Sequence, residues 1–366
     1  MPFGLTANSR DCTVDHDTTH VSQKVREPLF RNRSTVSCFA GSRFSQVDSL
    51  RLMLVGGLLA CVSTAMADTT NDVPPKDSQA SAFAVDERPD RLMISLSGKP
   101  IVEFVFRDER ILRPYFANAR LVDGRRVTRQ HPPIPGADDL DHDTMHPGIW
   151  LGFGDISGHD FWRNKGAIEH VRFTQTPTSS NGCLRFATEC RLKTNSGEPF
   201  CQLINSYTLA ERPNGWLLVW DATFRADERP VAFGDQEEMG FGARVASHWT
   251  EKRGGLIRSS SGKTSAKETW GQPAQWCDYS GSGPEAAGVM LMTGPGNFRS
   301  SWWHNRDYGV FVANPFGRAA MKQGERSVVT VAPGASLRLT FGALMHDHRE
   351  LSHDVEYDAF KSLLSE

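Results

Sequence analysis

The sequence predicts an all-β protein, a large two-sheet antiparallel β-sandwich with a short C-terminal helix. Three observations predict it. From residue 83 onward, apolar residues recur with period two rather than 3.6. Turn signals such as Ser97-Gly98-Lys99-Pro100, Asp123-Gly124, Arg212-Pro213-Asn214-Gly215 and Ala332-Pro333-Gly334 interrupt that pattern at the spacing of short strands. The 366 residues include 32 Gly, 21 Phe and 9 Trp, which suits many strands, tight turns and an aromatic core.

Residues 1–82 precede the expected domain. Residues 1–50 are polar, with scattered charges and two isolated cysteines, Cys12 and Cys38, and read as a mis-assigned or disordered extension upstream of the true start. Arg51, an apolar run of about 11 residues from Leu52 to Val62, and Ala65-Met66-Ala67 have the order of a secretory signal peptide over 51–67, cleaved after Ala67. Leu58-Leu59-Ala60-Cys61 offers a lipoprotein alternative, with Cys61 as the lipidated residue. Either way the expected location is periplasmic or secreted. Residues 68–82 are a polar, Pro-containing linker, and 83–366 a single β-sandwich domain with no internal linker.

Within that domain, Leu92–Leu96 and Ile101–Phe106 flank the first turn, and Arg120–Val122 and Arg126–Arg129 flank Asp123-Gly124, a strong hairpin signal. Further strands are expected at 168–174, 184–192, 202–209, 216–225, 242–247, 288–292, 309–313, 327–331 and 336–344, with a helix from about His348 to Leu364. Four cysteines follow the signal: Cys183, Cys190, Cys201 and Cys277. In an oxidising compartment they permit disulfides. A hairpin centred on Asn195-Ser196 would set Cys190 opposite Cys201; buried free thiols are the alternative.

Composition excludes several functions. With 41 Lys+Arg against 43 Asp+Glu, a net charge of -2 provides no footprint for nucleic acid. Apart from the signal, no apolar stretch approaches the roughly 20 residues of a membrane crossing, so no stable span is expected in the mature form. Walker and G-x-G-x-x-G loops, H-E-x-x-H, paired C-x-x-C and G-x-S-x-G are all missing from the sequence.

Four segments concentrate chemistry. The first, His131–Arg163, is a Pro- and Gly-shaped loop leading into a strand, dense in His, Asp and Trp, including His142, His146, Trp150, Asp155 and Trp162. His142 and His146 suit metal ligation, acid–base work or hydrogen bonding to a hydroxylated ligand. In the second, alternation along a strand projects Trp302, His304 and Arg306 to one face and Trp303, Asn305 and Asp307 to the other, followed by Asn314. The third holds Glu237 and Glu238, of which an extended chain would present only one; a buried Glu suits a general base. The fourth carries Trp270 and Trp276 as a possible aromatic wall. Each cluster also has a purely structural reading: loop bracing, core packing or a solvated turn.

Together these segments resemble the bacterial DUF6807 family, sometimes labelled PmoA-like. The match rests on His142, His146, Gly148, Trp150, Gly154, Asp155, Gly158 and Asp160-Phe161-Trp162. It continues through Glu238, Gly242, Arg244, Trp270-Gly271, Trp276 and Asp278-Tyr279-Ser280-Gly281, then Asn297, His304, Arg306-Asp307-Tyr308-Gly309 and Asn314-Pro315-Phe316. Where the family more commonly has His-Pro-His-His-Arg-Gly, this chain has His142-Asp143-Thr144-Met145-His146-Pro147-Gly148. The resemblance implies a galactose-mutarotase-like supersandwich, in which a His acid and a Glu base flank an anomeric oxygen; by that likeness His304 or His142 is the acid and Glu238 the base. The expected function is an exported carbohydrate-active enzyme doing His/Glu acid–base chemistry, as an isomerase, lyase or hydrolase, on a sugar or oxidised sugar derivative. Its catalytic set is His142, His146, Glu238, His304 and Arg306, with Trp150, Asp155, Trp270, Trp276, Trp302 and Asn314 binding the substrate and no organic cofactor. The alternatives are a non-catalytic carbohydrate-binding module and a metal-dependent enzyme with a divalent ion on His142, His146 and His304.

Overall fold

The computed structural model describes residues 82–347 and 351–365. The expected extension, signal and linker, apart from Ala82, lie outside the described residues, as does the start of the C-terminal segment at His348. Among the described residues the chain forms β1 (Phe83–Glu87), β2 (Arg91–Leu96), β3 (Lys99–Val105), β4 (Tyr115–Ala117), β5 (Ile149–Phe153), β6 (Ala167–Ser180), β7 (Cys183–Lys193), β8 (Pro199–Arg212) and β9 (Gly215–Ala226). It continues with β10 (Val231–Phe233), β11 (Met239–Arg244), β12 (Leu256–Ser259), α1 (Ser265–Thr269), β13 (Trp276–Ser280), β14 (Gly288–Thr293), β15 (Trp302–Asn305), β16 (Val310–Asn314), β17 (Val329–Val331), β18 (Ser336–His346) and α2 (His353–Leu363).

These strands make two eight-stranded antiparallel sheets, ordered β1-β2-β3-β4-β5-β11-β16-β15 and β12-β13-β14-β18-β9-β8-β7-β6, with β10-β17 as a small ladder. The sheets pack face to face through aromatic contacts: Phe104 on Tyr207 at 4.8 Å between ring centroids, Phe153 on Phe224 at 5.3 Å and Phe241 on Phe341 at 5.1 Å. One contiguous core therefore fills the space between them, as period-two alternation requires.

Each sheet also has an outer face with its own apolar cluster. On the second sheet, Leu217, Trp276, Met290, Met292 and Leu344 are covered by Tyr357 and Phe360 of α2. Outside the first, Trp150, Val310 and Val312 gather with Trp162 and Tyr115 under the loops that follow β3 and precede β5.

The expected all-β sandwich with its short C-terminal helix is the observed fold, with local corrections. The Asp123-Gly124 turn forms, Gly124 having φ +91°, but its arms share only an isolated bridge, Arg120 to Arg126. Residues 327–331 contribute only the three-residue β17, and the helix begins at His353. The expected Cys190–Cys201 pairing is also overturned. Pro199 pairs with Lys193, already one residue on from the assumed register, and a bulge beyond it adds a second residue, pairing Cys201 with Leu192 and leaving Cys190 facing Leu203. Cys190, Cys201 and Cys277 are buried free thiols, and Cys183 is buried as well.

Candidate functional site

The site is built on the outer face of the first sheet. Register aligns Trp150 on β5 with Gly242 on β11, Gly242 with Val312 on β16, and Val312 with His304 on β15. Directly paired residues project to the same side of a sheet. Trp150 and His304 thus share one face, three strand spacings or about 14 Å apart along it. Glycine makes this floor possible. A Cβ on Gly242 would lie 2.8 Å from Trp150 Cζ2, and one on Gly152 would lie 3.1 Å from Trp150 Cδ1. The indole therefore lies down across side-chain-free backbone.

The His142–His146 loop is held over that floor by buried arginines. Arg129 donates from Nη1 to the carbonyls of Asp139 at 2.9 Å and Asp141 at 2.6 Å, and from Nη2 to that of His146 at 3.1 Å. Arg113 donates to the Met145 carbonyl at 2.7 Å and to Asn164 Oδ1 at 2.9 Å. Burial pulls both guanidinium pKa values down to about 10. Fully buried Arg244 forks onto Asp141 at 2.8 and 3.1 Å. Burial opposes ionisation of Asp141, but the His142 ring N–H, 2.8 Å away, and Arg244 outweigh it and hold the carboxyl at about 2. His142 is exposed with φ +51°; its ring lies 5.2 Å from that of buried His146, which stacks on Trp150 at 5.1 Å. Burial first, then Arg244, His142, Arg129 and Arg113, keep His146 neutral, its pKa well below the ordinary histidine value.

Across the floor, the chain bends at Glu237 and Glu238 instead of running straight, so both carboxylates belong to the site rather than one. Glu237 Oε2 accepts from Arg306 Nη2 at 2.6 Å and stands 3.9 Å from His304 Nε2. Glu238 Oε1 accepts from Arg163 Nη2 at 2.9 Å. His304 Nδ1 is 3.0 Å from the Glu237 carbonyl oxygen. A carbonyl only accepts, so Nδ1 carries the proton and the neutral ring keeps its lone pair at Nε2. Burial and then Arg306 lower the His304 pKa, against the opposing pull of Glu237 and Glu238.

A closed circuit of contacts joins the two halves. Tyr308 stacks on His142 at 6.2 Å, receives the Arg244 guanidinium over its face at 4.8 Å and shares a hydrogen bond with Arg306. On the other side Trp150 meets Trp162 edge-on at 5.5 Å, and the next residue, Arg163, reaches Glu238. Two hollows open beside the Arg306–Tyr308 turn. One, about 510 Å³, is bordered by Asp141, His142, Lys252 and Tyr308; the other, about 480 Å³, by Trp270, Lys267, Glu251 and Arg306. A larger hollow of about 850 Å³ lies on the second sheet around Phe200 and Arg191, whose guanidinium is already held by Asp227 at 2.9 Å.

The remaining expected residues divide. Trp270 borders the smaller hollow, beneath the Lys322 ammonium at 5.6 Å. Trp302 shares the face of His304 and is stacked by Arg299 at 5.3 Å. Asn314 is fully buried and spent on structure: its amide donates to the carbonyls of Gln236 at 2.8 Å and Glu237 at 3.0 Å, and its oxygen accepts from Phe316 and Gly317. Asp155 caps its own turn, accepting from the Gly158 N–H at 2.9 Å. Trp276 is on the other sheet, stacked on His353 at 4.6 Å beneath α2. The structure does not bring His142, His146 and His304 together, and among the described residues no group of three or more His, Cys, Asp or Glu is placed to hold a metal ion. Sequence reasoning chose Glu238 over its neighbour Glu237 and gave no role to Tyr308, the buried Arg113 and Arg129 or the exposed Arg163, although the Glu237-Glu238 pair and the Arg306-Asp307-Tyr308 run carried signals.

Comparison with known proteins places the chain. Residues 91–358 match the family of unknown function DUF6807, and the chain belongs to it. No curated protein matches. Among solved structures, a galactose 1-epimerase from Lactobacillus acidophilus NCFM is similar at TM-score 0.39 and 10% identity, over 72% of this chain and 98% of that one. A galactose mutarotase-like protein from Lactobacillus casei ATCC 334 is similar at 0.33 and 10%, over 72% and 100%. A beta-arabinopyranosidase is similar at 0.38 and 11%, over 68% of this chain, which spans only 39% of that enzyme.

Proposed function

We propose that this DUF6807 protein is an exported carbohydrate-active enzyme that moves a proton on a sugar or oxidised sugar, using His304 between Glu237 and Glu238. The observation that carries the proposal is the fixed tautomer of His304. Its Nδ1–H is committed to the Glu237 carbonyl, so the free lone pair on Nε2 stands on the Glu237–Arg306 side of the ring. A neutral, desolvated imidazole in that state accepts a proton from a sugar hydroxyl or C–H, and the imidazolium so formed returns it as the general acid. Glu237, 3.9 Å from Nε2, stabilises the charged intermediate state, while Arg306 keeps that state short-lived. The half-buried Trp270 and Tyr308 border the hollows on either side of Arg306 and supply ring faces for a pyranose.

This arrangement assigns His304 first as base, whereas likeness to mutarotases suggests an acid. The chemistry it supports is epimerisation, elimination or hydrolysis. Export rests on residues 51–67 alone, and among the described residues no helix is long and apolar enough to cross a membrane. The test is proton NMR of purified protein with a panel of neutral and acidic monosaccharides, following anomer exchange, epimerisation and loss of water. Turnover that falls at least about 100-fold in His304→Ala supports the proposal. Turnover indifferent to His304, or binding without turnover in the unaltered protein, overturns it, the latter in favour of a binding module.

A further inference from the structure

Beside His304's partners the same face carries a second set of groups that acid–base chemistry does not use. Four buried nitrogens there have no hydrogen-bond partner: His146 Nδ1, Trp150 Nε1, Arg113 Nε and Arg244 Nε. They crowd around one indole. The position of a Gly152 Cβ is 3.1 Å from Trp150 Cδ1 and 3.4 Å from Arg113 Nε, while a Gly242 Cβ would sit 3.0 Å from Trp150 Cε2. The edge Cδ1–Nε1–Cε2 therefore runs from Gly152 to Gly242 over bare backbone. His146 stacks on the same indole, and Arg244 lies two residues beyond Gly242 on the same face.

Trp Nε1–H and Arg Nε–H only donate. What this place lacks is an acceptor. Its charge says which kind. Arg113 makes hydrogen bonds to carbonyls and to Asn164, with no carboxylate in ion-pair range, and Arg129 spends its hydrogen bonds on carbonyls with only a distant Asp141 at 3.7 Å. Three guanidiniums act on His146, those of Arg244, Arg129 and Arg113. Unpaired buried donors in a positive field call for an anion, since a buried cation without a counter-charge is costly. Asp141 already shows the preference, placing a carboxylate on both Nη atoms of Arg244 and leaving Nε over. The 510 Å³ hollow lined by His142 and Tyr308 lies beside these groups, the Arg244 guanidinium standing 4.8 Å over the Tyr308 ring and the His142 ring 5.2 Å from that of His146.

We propose that the region of Trp150, His146 and Arg244 receives the anionic oxygen group of an acidic sugar, so that the enzyme's substrates are uronates, aldonates or sugar phosphates rather than neutral sugars. This rests on the preceding reading of the face as a sugar site. The anion is anchored at the His146 end of the row that leads to His304.

The experiment is calorimetric titration of the full chain with D-glucose, D-glucuronate and glucose 6-phosphate at low and moderate salt. The expected result is that one acidic sugar binds at least about tenfold more tightly than glucose, with the advantage shrinking as salt rises. Glucuronate as the winner identifies a carboxylate, and glucose 6-phosphate a phosphate. Trp150→Phe keeps a ring and removes one donor; it should weaken the acidic sugar about tenfold and leave glucose nearly unchanged. Equal affinity for all three sugars overturns the proposal, and this comparison needs no variant to fold. If neutral sugars are turned over through His304 without any preference for acids, this inference falls alone. If no sugar binds, both fall.

Discussion

His304 Nδ1 lies 3.0 Å from the carbonyl oxygen of Glu237, and that contact decides which ring nitrogen is free for chemistry. Because the neutral ring is the base, activity should rise with pH through the His304 pKa and then level. Burial and then Arg306 depress that pKa, so the acid limb of kcat/KM should lie below the ordinary histidine value of about 6.5. Arg306→Gln removes a depressing charge and should move the limb to higher pH. Glu237→Gln removes an elevating one and should move it lower. Profiles that shift in the same direction, or not at all, would contradict the assignment.

Gly242 tests the floor. A methyl there would meet Trp150 Cζ2 at 2.8 Å and Val312 Cγ2 at 3.0 Å, both fully buried. Gly242→Ala should therefore cost about 1–3 kcal/mol by overpacking and tilt the indole off the sheet. Urea denaturation reads the first effect and sugar titration the second. A variant that is as stable as the parent and binds equally would mean the indole does not rest where it is placed.

Asn314 should act through Glu237 without touching substrate. Its two N–H groups hold the carbonyls of residues 236 and 237, and Asn314→Asp replaces those donors by a carboxylate that repels them. The expected result is a drop in kcat larger than the change in KM, with the acid limb of the pH profile displaced because the Glu237 carbonyl no longer fixes the His304 tautomer. A purely structural role would lower stability and leave that limb in place.

How much of this was legible in the sequence follows from the range of each interaction. Alternation is local, so Trp302 and His304 on one face and Trp303 and Asn305 on the other were readable directly and are observed. Glu237 escaped because the argument assumed extended chain where the chain bends. Arg113 and Arg129 drew no functional reading, since nothing local says that a guanidinium will be swallowed by the carbonyls of a loop up to 49 residues away. Trp276 sits in a motif that looks continuous with the others, yet β13 belongs to the second sheet, and sheet membership is set by pairings a one-dimensional pattern does not contain. The cysteine pairing failed on a turn displaced by one residue and a bulge beside it.

The thiols provide a simple check of that correction. Burial pushes Cys190 and Cys201 up to about 12, so neither is a thiolate at neutral pH. Native protein should resist alkylation by iodoacetamide, and all four thiols of the sandwich should react once urea unfolds it, with no prior reduction. Rapid labelling of the native fold, or a mass two hydrogens light before reduction, would show that the register around Pro199 is different.

The second sheet makes its own pH-dependent prediction. Asp278 is fully buried, its Oδ1 2.9 Å from His346 Nε2 and its Oδ2 3.1 Å from His353 Nε2, so it ties β18 and the first turn of α2 to β13. Burial by itself would raise the Asp278 carboxyl, but His346 and then His353 outweigh it and hold it well below the usual carboxylate range. A carboxyl whose folded pKa is depressed contributes stability that is fully present above the unfolded value of about 3.9 and is lost as pH falls through the folded one. Asp278→Asn should cost about 3–5 kcal/mol at neutral pH, because it removes one partner of a buried cluster and leaves the others unpaired. Followed from neutrality into strong acid, that deficit should narrow as the folded Asp278 carboxyl takes up its proton. Urea denaturation of both proteins across this range measures it. Protease cleavage near His353 should also quicken in the variant, since the helix would then be held chiefly by Tyr357, Phe360 and the Arg212–Glu356 pair at 2.8 Å. A deficit undiminished in strong acid would mean that the carboxylate is not the form the fold prefers.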